Sequence, residues 1–552
     1  MEVLKAAGLP SEFFMKVFQP KTFTLLKNYS GKQFVSDIIA GIIVAIIALP
    51  LSIALAMASG VSPERGIYTA IFAGFVIALL GGSNVNISGP TAAFATIVAG
   101  IYAQYDMSGL ALATVMAGII LILMGICHFG ALIKYIPLTI TTGFTSGIAL
   151  TIAIGQIKDF LGLSFGDAKP VETIEKAEAV VENIGTINVM SLLVGLFGLA
   201  ILIIWPKLGK VGKLVPGSLI AVLAGTVLVK LCSLDVATIG DLHKIPTGLP
   251  AFSAPSFSLE TCRELLPSAF TIAILAAIES LLSCVVSDGM IGDKHNSNTE
   301  LIAQGAGNIA SALFGGIPAT GAIARTAANV KNGGRSPVAG MVHAVVLLLV
   351  LLVLMPYAAW IPMPIIAAIL FVVAYNMCEW RQFVKICKMA PKSDILVLVV
   401  TFALTVIFDL VVAIEIGLLL TVILFLKRMT DVTSVRVWDK NGAKAYPDGT
   451  KIYDVDGPLF FSSAEKLSQI SPDETTKNII IRMHDVQALD VSALKVLTSL
   501  VDGCKSRGVR VVFAHVQAQP MKILKKSGFF DKVGNENFAD TIDDAILAVS
   551  KA

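Results

Sequence analysis

Fourteen apolar stretches follow one another along most of this chain, at residues 38–59, 66–81, 91–103, 110–128, 137–160, 190–205, 217–232, 267–287, 300–313, 322–332, 337–356, 363–377, 394–408 and 410–427. A helix needs about 20 apolar residues to span a bilayer, so the short stretches at 91–103 and 322–332 read as broken spans. Only 15% of the residues are charged, against about 25% in a soluble domain. The chain therefore reads as a polytopic α-helical membrane protein. The long 233–266 connection separates the first seven stretches from the second seven, the division an inverted repeat produces.

Both short spans are preceded by glycine and proline. Phe314 to Thr326 reads Phe-Gly-Gly-Ile-Pro-Ala-Thr-Gly-Ala-Ile-Ala-Arg-Thr. Far upstream, Gly81-Gly82-Ser83-Asn84 is followed by Ser88-Gly89-Pro90-Thr91 and then Ala92-Ala93-Phe94-Ala95. Interrupted backbone at membrane depth is tolerated where it lines a cavity. A half-helix that restarts there points its partly positive N-terminus into that cavity. Arg325 adds a full charge one turn into the second restart, which makes half of an anion site. Paired breaks in corresponding halves point to a transporter with its site at the midplane. The plainer alternative is two ordinary glycine-rich loops.

Basic residues in short loops set orientation. With the N-terminus inside, Lys134, Lys207, Lys210, Lys213, Lys331, Arg335, Arg381, Lys385, Lys388, Lys392, Lys427 and Arg428 are all cytoplasmic. The acidic 161–189 loop, with Asp167 and four glutamates against Lys169 and Lys176, falls outside. Both termini are then cytosolic in a plasma (inner) membrane protein, and the net charge of +3 adds little. Residues 1–36, with Phe13, Phe14, Val17 and Phe18, read as a cytosolic segment lying on the membrane surface, without a cleavable signal. Residues 37–428 form the membrane domain. From 429 to 552 the composition shifts to strands (451–455, 458–461, 478–483, 510–514) alternating with helices starting near Ser462, Ala488 and Pro520, a small α/β domain. Seven cysteines without CxxC spacing give no disulfide or metal framework. No cofactor and no nucleic-acid partner is indicated, and nothing supports an enzyme.

Four motifs together resemble the SulP (solute carrier 26) anion-transporter family over nearly the whole chain. They are Ser88-Gly89-Pro90-Thr91, Ala277-Ile278-Glu279-Ser280-Leu281-Leu282, Gly321-Ala322-Ile323-Ala324-Arg325 and Leu489-Asp490-Val491-Ser492, the last similar to the STAS motif with a phosphorylatable serine. The resemblance implies 14 spans in a 7+7 inverted repeat, with the core and gate of the uracil transporters, followed by a STAS domain. It also implies a homodimer that moves core against gate like an elevator. The wording is similar to bacterial C4-dicarboxylate-transporting members, with the cyanobacterial bicarbonate branch more distant.

Glu279 lies midway along its span, where an ionisable residue is costly and marks a functional site by default. Arg325 is its obvious electrostatic partner. Either the two form a structural pair that locks two helices, or protonation of Glu279 lets an anion share the pocket with Arg325. In sodium-coupled relatives the resemblance implies a cation role for the acid. Thr91 and the backbone N–H groups of Ala92, Ala322 and Ile323, in the Gly321 motif, bind the anion, since helix N-termini suit anions. Ser283, one turn after Glu279, presents its hydroxyl to the cavity or bonds an intrahelical carbonyl. Phe94 shapes the pocket or merely packs. Ile323 replaces a hydroxyl residue of the bicarbonate branch, which weakens a sodium–bicarbonate assignment. Asp288, His295 and Glu300 read as a solvated loop rather than a metal site. Asp490 and Ser492 are regulatory, or one of the two is simply the helix cap, and a cytosolic regulator could dock on the STAS domain. The leading expectation is a proton-coupled symporter of a small anion, a C4-dicarboxylate, sulfate or bicarbonate, among membrane lipids. An uncoupled channel or exchanger, and a membrane-anchored sensor with vestigial transport, are the alternatives.

Overall fold

Ser30 accepts a hydrogen bond from the Gln33 N–H and so starts α1 (Gly31–Ala58), ahead of the apolar run at 38–59, because polar cap and first turn precede it. The protein is described here by a computed structural model covering residues 18–25, 29–131, 137–166, 170, 172–209, 215–242, 250–408, 410–438 and 447–551. Phe13, Phe14, Val17, Lys134, Asp167, Lys169, Lys210 and Lys213 lie outside the described residues. Two compact units divide between Leu418 and Leu419.

In the first unit, a short helix at Lys21–Leu25 packs on the end of α2 (Pro63–Leu80), with Lys21 N donating to Gly81 O and Thr22 Oγ1 to Ala78 O at 3.2 Å. These residues are thus tied to the end of α2. Then come strand β1 (Ser88–Gly89), a 3-10 turn at Ala92–Phe94 and α3 (Ala95–Ile126). Asp106, at φ 54°, divides α3 into the two arms expected as separate spans. α4 (Leu138–Leu161), α5 (Val189–Ile204) and α6 (Gly217–Leu231) complete the first half.

The second half contains α7 (Leu259–Ile291), α8 (Ser297–Leu313), strand β2 (Thr320–Gly321), α9 (Ile323–Lys331) and α10 (Pro337–Ala358). It ends with α11 (Met363–Cys378), α12 (Trp380–Met389), α13 (Lys392–Ile407) and α14 (Leu410–Val432), within which the unit boundary falls. Among the described residues, seven helices are long and apolar enough to cross a membrane. Small residues set the packing, as is usual between membrane helices. A Cβ on Gly118 of α3 would meet Gly305 O at 2.7 Å, and one on Gly305 of α8 would meet Gly118 O at 2.4 Å. Neither helix can carry a side chain at that crossing.

The second unit holds a five-stranded sheet in the order β3 (Ser434–Val437), β4 (Thr450–Asp456), β5 (Asn478–Asp485), β6 (Arg510–Ala514), β7 (Phe538–Ala539). β3 runs antiparallel to β4 and the others pair in parallel. One face buries Ile479, Ile481 and Phe513 under α15 (Val491–Ser506) and α16 (Ala518–Lys526); the other buries Ile480 and Val512 under α17 (Ile542–Ser550). Residues 458–461 are not the strand expected. Ser463 Oγ donates to Pro458 O and accepts from Phe460 N, which bends this stretch toward a 3-10 turn at Ala464–Gln469.

Candidate anion site

The two breaks meet. β1 and β2 pair antiparallel, Ser88 opposite Gly321 and Gly89 opposite Thr320, and Ala322 N donates to Ile87 O at 2.8 Å. From this two-residue ladder one chain continues through Thr91 into the Ala92–Phe94 turn and α3, the other through Ala322 into α9. Each restart begins with N–H groups that have no carbonyl one turn back, the arrangement that receives anions. The Ala322 and Gly321 N–H groups are not among them: they are donated to Ile87 O and Ser280 Oγ, so of the donors expected on the second restart only Ile323 keeps that role. Ala92 is buried, whereas Thr91 and Ala322 are half-buried and Ile323 is 39% exposed.

Arg325 joins the two starts. Its side chain is enclosed, Nη2 donates to the Pro90 carbonyl, and Nη1 has no partner. A Cβ on Gly89 would lie 2.5 Å from that Nη1, so a side chain there would push the guanidinium aside. A buried N–H of a cation without an acceptor is costly, and an anion would satisfy it.

Glu279 on α7 does not pair with Arg325: among the described residues no ion pair joins them, and Glu279 Oε2 accepts from Thr91 Oγ1 at 3.0 Å. Arg325 is instead held by a carbonyl of the opposite break, so acid and base are attached separately to the first restart. Ser283 does not open to a cavity either. It is 1% exposed, donating to Asn86 Oδ1 at 2.8 Å, with Thr326 Oγ1 3.2 Å away. Phe94 is fully enclosed and serves as packing behind the restart. Ser280 links α7 to the ladder: its Oγ accepts from Gly321 N at 2.9 Å and lies 2.7 Å from Thr320 Oγ1.

Sequence reasoning missed the support behind the ladder. Glu300 is no solvated loop residue; it lies on α8 with no exposed surface. Its carboxylate accepts from Gly82 N at 2.9 Å, Asn86 Nδ2 at 2.8 Å and Gln304 Nε2 at 3.0 Å. Two turns on, Asn308 bonds both the N–H and the C=O of Ala319. His343 on α10 is buried with both ring nitrogens unpartnered and lies within range of the Arg325 charge. Asp288, in the last turn of α7, pairs with His295 of the α7–α8 turn at 2.7 Å.

The pattern that matches residues 34–401 is that of the sulfate permease family, and residues 443–545 match the STAS domain. The chain belongs to the sulfate permease (SulP) family. It is 42% identical to YvdB of Bacillus subtilis, provisionally named a sulfate transporter, over 94% of this chain and 98% of that one. It is 30% identical to the bicarbonate transporter BicA of Picosynechococcus, over 90% and 91%. These SulP relatives are named for sulfate and bicarbonate, not dicarboxylates. The solved cyanobacterial BicA transmembrane domain superposes with a TM-score of 0.63 at 31% identity, covering 70% of this chain and 98% of that domain. Murine Slc26a9, an anion transporter in an inward-facing state, shares the fold with a TM-score of 0.89 at 20% identity, over 99% and 96% of the two chains. The expected fold class, a helical membrane domain read from the apolar spacing and a small α/β domain that the resemblance implied to be STAS, is the fold present.

Proposed function

We propose that this protein is a secondary active transporter of a small oxyanion, sulfate first, seated between the Thr91–Ala92 and Ala322–Ile323 starts and coupled to protons through Glu279. The observation that carries this reading is the β1–β2 ladder, which brings both helix starts and Arg325, with its unpartnered Nη1, to one place. Names of SulP relatives favour sulfate or bicarbonate, and the apolar Ile323 weighs against a sodium–bicarbonate site. Proton coupling rests on the Thr91–Glu279 bond. A proton on Glu279 removes a negative charge at the first restart, just where the anion arrives.

The remaining parts follow the same reading. Residues 37–428 transport, by an elevator movement in a homodimer, and 429–552 regulate from the cytoplasm, where both termini lie in an inner-membrane protein. Asp490 caps α15 through Ala493 N at 2.8 Å and accepts from Phe461 N at 2.9 Å, leaving the exposed Ser492 on the first turn as the regulatory position. A phosphate there would sit at a helix N-terminus, where negative charge is tolerated.

The test is labelled sulfate uptake into proteoliposomes with an inward proton gradient and no sodium, fumarate and bicarbonate serving as competitors. Accumulation should collapse without the gradient and be lost in Glu279→Gln. Flux indifferent to pH, with a benign Glu279→Gln, would sink the coupling and favour a channel or exchanger. Stronger competition by fumarate than by sulfate would return the substrate to the dicarboxylates.

A further inference from the structure

α12 is a ten-residue helix between two apolar ones, α11 and α13. At about 1.5 Å per residue it is far too short to cross a bilayer. Glu379, in the left-handed region at φ 41°, turns the chain sharply out of α11, and Pro391 starts α13 two residues after α12 ends. The helix is therefore confined to the end of these two apolar helices, at headgroup level. Its residues divide into two stripes. Phe383, Ile386 and Cys387 are half-buried, with the Phe383 ring 5.6 Å from that of Phe402 on α13. Arg381, Lys385 and Lys388, spaced one turn apart, are exposed, and Lys392 follows with no acid before Asp394.

Beside the basic stripe lies a groove of about 930 Å³. Arg381 and Lys385 stand along it, while Leu138, Tyr375, Trp380 and Met389 line it with apolar surface. All four of these apolar side chains are exposed, at 59%, 60%, 46% and 75%. Trp380 Nε1 donates to Tyr375 Oη at 3.3 Å, and the Arg381 guanidinium lies over the indole at 5.6 Å. Among the described residues, Glu379 is the one carboxylate in the lining. Two cations beside an open apolar groove at the end of a membrane helix match one chemistry, an acidic headgroup with acyl chains attached.

We propose that this groove is a binding site for an anionic phospholipid, whose headgroup phosphate is held by Arg381 and Lys385 and whose acyl chain lies along Leu138, Tyr375 and Met389. The site is independent of the anion seat and of the transport reading.

The test is native mass spectrometry of the full-length protein released from nanodiscs containing equimolar phosphatidylglycerol and phosphatidylcholine. The wild-type protein should retain phosphatidylglycerol in preference. A cation near an acidic lipid surface is worth about a fivefold preference, so Arg381→Gln/Lys385→Gln should lower the ratio by up to about 25-fold. Arg381→Lys/Lys385→Arg should keep the preference, which separates charge from any defect in folding. Trp380→Ala should lower retention of both lipids. Equal retention of the two lipids by the wild type, or a preference unchanged in the double glutamine variant, would overturn the proposal.

Discussion

At the first break, Gly89 and Pro90 lead through Thr91 into a 3-10 turn, and the chain offers neutral groups: a hydroxyl, amide N–H groups and the Pro90 carbonyl. At the second, Ala322 leads straight into α9, whose third residue is Arg325. The backbones are paired at two positions, yet the positive charge comes from one side, Arg325, and is anchored on the other. The supports differ in the same way. α8 gives the first break a carboxylate, Glu300, and the second a neutral amide, Asn308. Repetition of the backbone thus supplies two helix starts, while charge needs to be supplied only once.

The largest effect should follow from removing the charged support. Glu300→Ala leaves Gly82 N–H and the amides of Asn86 and Gln304 without their acceptor, at about 1–3 kcal/mol for each buried group. The melting temperature of the purified full-length protein should fall steeply, and by less for Asn308→Ala, which removes only neutral bonds, to the Ala319 peptide and to Gln304 O. Equal losses in the two variants would break the contrast between the supports.

Next comes the charge itself. Hydrogen bonds to charged groups contribute about 1.5–3 kcal/mol, so Arg325→Ala should weaken sulfate binding about 10- to 100-fold in calorimetric titration, and Thr91→Ala less. If both cost the same, the halves contribute evenly and the asymmetry is only formal. The smallest effect belongs to Gly89→Ala, whose methyl would stand 2.5 Å from Arg325 Nη1. Displacing the guanidinium should lower sulfate affinity by less than Arg325→Ala does, with little change in melting temperature. An unchanged affinity would mean that the Pro90 anchor is unimportant to the seat.

Much of the fold was legible because apolar length marks a span. The stretches at 137–160 and 217–232 became α4 and α6 nearly residue for residue. α7 starts well before the stretch at 267–287, since its first turns are polar and lie outside any apolar window. Both breaks could be read from glycine and proline alone, but their pairing is tertiary and had no local signal. Glu300 was hidden because a carboxylate near the end of a polar turn looks solvated until its three donors are known. Ser283 failed for the converse reason. Helical spacing put it one turn from Glu279, but Asn86 occupies that side of α7. In the STAS domain the long central strands were visible, whereas the short edge strands β3 and β7 carry too few residues for an alternating pattern.

The pairing of β1 with β2 also constrains how such a protein can change. Because the two helix starts hang from one ladder of only two residues on each side, neither can shift outward without pulling its counterpart along. A larger or smaller cargo cannot be accommodated by adjusting one half alone. Substitutions that re-dimension the seat would have to arrive as matched changes near Gly89 and Gly321.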